Sequence, residues 1–249
     1  MDMARFYRSV KNRLERYLMH RQDITSNSAS GTKEVYVNNA GNFGFQSLIN
    51  DYPYIILMDN NTTGEVTEDG FEGAEIVKVK NINESEGIIY LQDNLENDWT
   101  VDNETYVTRC PAQMPIRQVI IGDLSVINIF PTVCIVPTTE SIEWAFLHGS
   151  KETISIDFII YVERGDTEFG TLSLMDLTAV IKWILMSNLK IRSDDKNPFS
   201  VLSHSKINTI DYGTISKGSE FVKASKISWE GEYYVDRKYL FDQEPYDPE

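Results

Sequence analysis

A chain of 249 residues is long enough for two domains or for one domain with a large insertion. Its 38 acidic residues against 23 basic ones leave a formal net charge of −15, which argues against a dedicated nucleic-acid binder, because such proteins gain affinity by neutralising phosphates. A hydrophobic fraction of 41%, with no apolar run near bilayer length, implies a globular protein with a real core and no membrane span.

Met3, Phe6, Tyr7, Val10, Leu14, Tyr17 and Leu18 recur at helical spacing and predict an amphipathic helix over residues 3–20. Its other face carries Arg5, Arg8, Lys11, Arg13 and Arg16, which reads either as a solvated face or as a basic surface that docks on an acidic one. The same charges interrupt any signal-like apolar core, so export by that route is not expected. Ile24 to Lys33 is rich in Ser, Asn and Gly and reads as a linker.

From Glu34 to Arg117 the chain is acidic and made of short apolar runs, Tyr54–Met58, Ala74–Val79, Gly87–Leu91 and Tyr106–Cys110, separated by turn residues. That spacing predicts a small all-β barrel or sandwich. Pro111, Pro115 and the run Ile116–Ile121 lead into a second region. There, Val133–Val136 lies between Pro131 and Pro137, and Ile154, Ile156, Phe158, Ile160 and Val162 alternate with polar residues, as in an antiparallel pair of half-buried strands.

A helix is expected over Leu172–Leu189. At about 100° per residue its apolar positions fall into two stripes. Leu174, Leu177, Val180, Ile181, Ile184 and Leu185 form one; Met175, Ala179, Trp183 and Met186 form the other, on the opposite side. A helix apolar on both sides is buried from both sides, so the second stripe needs a cover, either the N-terminal helix or another subunit. Ser193–Pro198 reads as an exposed loop, Lys206–Ile215 and Phe221–Trp229 as the closing strands, and the acidic, Pro-containing end as an extended tail.

The expected organisation is α+β: a small sheet with helices packed on it, plus an inserted all-β barrel or sandwich-like domain. Residues 1–25 are the helix of the main domain, 31–118 the insertion, 119–240 the main domain and 241–249 the tail.

Chemistry has no visible carrier. His20, His148 and His204 lie in different elements, without the spacing that converging metal ligands need. Ser203 and His204 are adjacent on a strand and so point to opposite faces. There is no nucleophile elbow and no phosphate-binding glycine loop, and Gly70 and Gly73 read as turn glycines. Asp59, Asn61, Thr63 and Gly64 have calcium-loop spacing, but the twelfth position is Gly70 where a bidentate Glu belongs, so an acidic hairpin is favoured. Cys110 and Cys134 read as free buried thiols. The glycosylation-type matches at Asn61, Asn83 and Asn103 read as chance. No catalytic, cofactor or metal residue is assigned, and no enzymatic activity is expected.

A basic first helix, the strand Phe130-Pro131-Thr132-Val133-Cys134-Ile135-Val136-Pro137, a strand ending Ile159-Ile160-Tyr161-Val162, a long helix and a closing strand Ala224-Ser225-Lys226-Ile227-Ser228-Trp229: this order resembles the tail-terminator or tail-completion proteins of tailed bacteriophages. The resemblance covers the first helix and residues 119–235, by element order and hydrophobic pattern. It implies a virion protein, assembled in the host cytoplasm, whose subunits form a ring, usually a hexamer, at the head-proximal end of the tail. Tail tube, sheath or collar, and head-tail connector are the implied partners, with DNA passing through unbound. In that family the first helix leads almost directly into the first strand, whereas here residues 31–118 intervene, which leaves another neck or collar component open.

The expected subunit or partner interface is Met175, Ala179, Trp183 and Met186 with Arg5, Arg8 and Arg16. Two further readings are a ligand- or carbohydrate-binding module on an α+β scaffold, and a hydrolase using Asp157, Glu163 or Asp166.

Overall fold

The computed structural model describes residues 3–43, 53–59, 66–67, 70–71, 73–110, 115–122, 129–146, 149–163, 167–187, 204–217 and 220–236. The Ser193–Pro198 loop, the acidic tail, Ser203, His148, Asp166 and most of the Asp59–Gly64 loop lie outside the described residues. The fold is α+β with a barrel-like part. Contacts divide it into two compact units, Met1–Leu14 with Gln118–Glu249, and Glu15–Arg117. Helix α1, Met3–Leu18, contributes residues to both. The sequence places 1–25 with the α+β region, whereas the contacts assign residues from Glu15 onward to the β-rich unit.

In the β-rich unit the strands are β1 Arg21–Asp23, β2 Glu34–Tyr36, β3 Tyr54–Met58, β4 Val66–Thr67, β5 Gly70–Phe71, β6 Ala74–Asn83, β7 Ile88–Leu91 and β8 Tyr106–Arg109. Six of them form one sheet in the order β1-β8-β3-β6-β7-β2, and β4 with β5 makes a small hairpin. The two edge strands then meet: Ile24 bridges Val37 antiparallel, and the Thr25 N–H donates to the Tyr36 carbonyl at 2.8 Å. This pairing curls the sheet toward a barrel and removes the edges that an open sheet would leave. Inside lie Val35, Val37, Ile55, Leu57, Ile89, Trp99 and Val107, all buried.

The expected linker at Ile24–Lys33 is instead part of this unit. Ser28 and Trp99 exchange backbone hydrogen bonds at 2.8 and 2.9 Å, and Gly31 and Thr32 are tied to Leu95 at 2.8 and 2.9 Å. Composition reports local conformational freedom, and these partners are some seventy positions away in sequence.

The α+β unit holds β9 Gln118–Ile121, β10 Thr132–Phe146, β11 Gly149–Glu163, helix α2 Thr167–Ser187, β12 His204–Lys217 and β13 Glu220–Asp236. The sheet order is β12-β13-β11-β10-β9, with β9 parallel to β10 and the other pairs antiparallel. Val133 pairs Ile160, and Ile156 pairs Trp229.

Because side chains alternate along a strand, Ser225, Ile227, Trp229 and Tyr233 share one face of β13, and all are buried. Both helices lie on that face. Thr178 of α2 meets Ser225, and Phe6 of α1 meets Tyr233 with ring centroids 6.1 Å apart.

Two expected boundaries move. The strand read as ending at Val136 continues through Pro137 to Phe146. Proline is tolerated there because β9 stops opposite Ile135 and the β10–β11 register shifts between Pro137 and Thr139, so no ladder bond is lost. Helix α2 begins at Thr167, ahead of Leu172, and runs through a buried Gly170. A glycine costs a helix interior about 1 kcal/mol relative to alanine, which packing outweighs.

Candidate assembly surface

Helix α2 presents two different faces. Leu174, Leu177, Val180, Ile181, Ile184 and Leu185 are buried in the α+β unit, whose strands β13 and β11 lie against the helix. Met175 and Met186 are 47% and 50% exposed, Leu172 joins them, and Ala179 and Trp183 are half-buried. These positions follow one line along the helix.

The N-terminal helix does not cover that line, because its own apolar residues Phe6, Tyr7, Val10 and Leu14 are buried and Phe6 sits at Tyr233. Burial pushes the Tyr233 and Tyr7 hydroxyls above their usual range, with nearby carboxylates adding to the effect. The second stripe is thus a surface of the chain.

By length and composition the 18 residues Gly170–Ser187 could cross a bilayer, contrary to the expectation of no such run. The burial of the first stripe in its own unit makes α2 a core helix instead.

Arg8 and Arg16 are exposed on α1, while the Arg5 side chain lies outside the described residues. In the β-rich unit, Arg109 is buried and its guanidinium is pushed down to about 10, first by desolvation, with Tyr17 raising it and Arg16 lowering it further. His20 is half-buried, edge-on to Phe43 at 5.1 Å, and its imidazole is held below its usual value by burial, then by Arg109 and Arg16.

His204 opens β12 in the other unit and is exposed. Cys110 and Cys134 are buried, in different units and not joined in a disulfide, and burial holds the Cys110 thiol well above its usual range. Among the described residues no group of three His, Cys, Asp or Glu gathers as a metal cage.

The sheet face opposite the helices is divided: toward β9, Cys134, Tyr161, Val222 and Ala224 form a buried apolar cluster, and the rest is a lattice of ion pairs. Lys151 pairs Glu232 at 2.8 Å and Lys206 pairs Glu230 at 2.9 Å, while Lys226 lies 3.9 Å from Asp157 and 3.8 Å from Asp211. Ser228 donates to Asp157 at 2.7 Å. Asp157, one of the carboxylates considered for hydrolysis, is therefore part of an ion lattice. The Glu163 side chain lies outside the described residues.

Sequence reasoning missed the sheet edges. Ile142 and Trp144 of β10 and Tyr212 and Ile215 of β12 are exposed, Trp144 at 68%. The signal was present in the alternation Ile142, Trp144, Phe146, and reading Pro137 as a strand terminator concealed it.

No family model matches the chain, and no curated protein matches it. Among solved structures, a chain of the "Virion of native gene transfer agent (GTA) particle" matches at 7% identity, covering 47% of this chain and 78% of that one, with a TM-score of 0.25. A TM-score that low carries no argument about this chain's fold or function.

Proposed function

We propose that this chain is a non-enzymatic structural protein of a tailed-phage virion, assembling as a ring, hexameric in the family it resembles, that terminates the tail and joins it to the neck. The observation that carries this reading is the exposed line Leu172, Met175 and Met186 on a helix whose other stripe is already buried. Apolar side chains kept in line at a surface gain free energy only when another surface covers them, and subunits of a ring each bury two such surfaces. The element order described from sequence supports the place in the tail. Tail tube, sheath or collar, and connector are the partners this reading assigns.

The ion-paired part of the helix-free face suits a channel for DNA. Its lysines already have carboxylate partners, so few cations remain to release counterions from a passing duplex.

The test is the mass of the purified chain by light scattering over a wide concentration range, beside a Met175→Glu, Met186→Glu double variant. Both side chains are half exposed, so the fold should tolerate the changes. A discrete multiple of the chain mass for the wild type, with rings in electron micrographs and a folded monomer for the variant, supports the reading. A wild type that stays monomeric at every concentration ends it.

A further inference from the structure

We infer that the exposed basic face of α1 docks on the acidic 92–104 connection of a second copy, head to tail. This rests on the ring reading and names one of its junctions.

Helix α1 carries Arg5, Arg8, Lys11, Arg13 and Arg16 against Glu15 alone, in a chain whose net charge is −15. Ala4, Arg8, Asn12 and Arg16 are exposed, and their spacing of four sets them in one line along the helix.

The complement lies in the β-rich unit. Between Lys80 and Arg109 the chain has no basic residue. Within that stretch the connection from β7 to β8 exposes Asp93, Glu96, Asp98, Asp102 and Glu104. No lysine or arginine among the described residues pairs with Asp93, Glu96, Asp98 or Asp102. The patch is held in place before any partner arrives: the Asp98 carboxylate accepts from the Ser30 N–H at 2.7 Å, Asn27 Oδ1 accepts from the Val101 N–H at 2.8 Å, and Leu95 and Trp99 are buried. A long connection kept rigid loses little entropy on docking.

Three features make a second copy the occupant. First, Arg16 and the acidic patch belong to opposite ends of the β-rich unit. Arg21 pairs Thr108 and Asp23 pairs Tyr106, so the chain arrives from α1 at the Arg109 end of β8, where Arg16 bears on Arg109 and His20. The acidic connection leads into the Tyr106 end. At about 3.3 Å per residue the two ends are about 10 Å apart, beyond the screening length of about 8 Å at physiological salt. Glu84 and Glu86, on the β6–β7 turn, lie toward the Arg109 end and are not part of the patch. Second, opposite charges at separate places on one chain attract another copy in one direction and repel it in the other, which sets both partner and polarity. Third, the two surfaces differ, so their contact is heterologous, the kind that a ring repeats until it closes.

The test reverses each patch. Arg8→Glu, Arg16→Glu makes the helix acidic, and Asp93→Lys, Asp102→Lys makes the connection basic; all four side chains are exposed. Circular dichroism with thermal melts establishes that each variant is folded. In light scattering each variant alone should need at least about tenfold more protein than the wild type to form the higher oligomer, because like charges then face each other. Mixed in equal amounts, the two should assemble again in alternation, since every junction then joins opposite charges. A chain with all four changes should assemble with itself and stay apart from the wild type.

Variants that assemble like the wild type, while Met175→Glu, Met186→Glu does not, overturn this junction and leave the ring. Loss with the helix variant alone, restored neither by the mixture nor by the four-change chain, gives α1 a different acidic partner and overturns it too. A wild type monomeric at all concentrations overturns both.

Discussion

Thr178 Oγ1 and Ser225 Oγ lie 2.6 Å apart in the buried seam between α2 and β13. Thr178 also donates to the Leu174 carbonyl one turn back, at 2.6 Å, which uses its only proton. Ser225 is therefore the donor between the two hydroxyls. The pair ties the buried side of the helix, which also carries Leu174, Leu177 and Ile181, to β13.

That assignment separates two substitutions of similar size. Ser225→Ala removes a donor and leaves Thr178 bonded to Leu174, at a cost of about 1 kcal/mol. Thr178→Val strands the buried Ser225 hydroxyl and costs about 1–3 kcal/mol. Urea unfolding should rank Thr178→Val as the less stable, and the reverse order would show that Thr178 gives its proton to Ser225.

In the β-rich unit, the Glu75 carboxylate accepts from the Glu96 N–H at 2.7 Å, the Asn97 N–H at 3.2 Å and Trp99 Nε1–H at 2.8 Å, so a buried charge holds the loop that carries Trp99. Glu75→Gln turns an NH2 toward one set of donors and weakens the rest. Hydrogen bonds to a charged group are worth about 1.5–3 kcal/mol, and a loss of that order is expected in denaturant, with altered tryptophan fluorescence. An unchanged midpoint would mean that the loop is held by its backbone bonds alone.

Gly87 has φ of +70°, and a Cβ there would stand 2.3 Å from the Val37 carbonyl oxygen. Gly31 has φ of +84° with nothing within 4 Å of the same atom. Gly31→Ala should cost about 1–2 kcal/mol, the left-handed backbone term alone. Gly87→Ala adds a clash with backbone that cannot rotate away, beside the Val37 N–H to Gly87 carbonyl bond of 2.8 Å. Thermal melts should show a clearly larger loss at Gly87, and equal losses would remove the clash from the account.

His20 gives a pH dependence with a definite sign. Its folded-state pKa lies below the ordinary value of 6.5 because burial, Arg109 and Arg16 disfavour the cation. Below that ordinary value the unfolded chain takes up the proton first, so stability falls as pH drops through 6.5 and levels off below the folded pKa. The difference in urea midpoint between wild type and His20→Gln, followed from pH 8 to pH 5, should therefore move against the wild type on acidification. A difference that is flat with pH would show that His20 titrates alike in both states.

Much of the architecture was legible along the chain. Phe6, Val10 and Leu14 in α1, the inner stripe of α2, and the alternation through Ile154–Val162 are buried as their spacing implies, because a side chain's direction on a helix or strand follows from its position in a regular repeat. The charge excess, the lack of ligand spacing among His20, His148 and His204, and two apolar stripes on one helix were equally readable.

Coverage was not. Periodicity marks Met175 and Met186 as apolar without saying whether α1 or nothing in the chain lies over them; that depended on where Phe6 found Tyr233. Composition marked Ile24–Lys33 as a linker, yet its hydrogen bonds go to Leu95 and Trp99. Pro137 looked like a stop, and only the end of β9 opposite Ile135 makes it harmless. The sequence by itself determined which residues are apolar and at what period, since those are local properties of the chain. The tertiary structure decided which strands are edges and which apolar stripe stays uncovered, since both depend on partners far away in sequence.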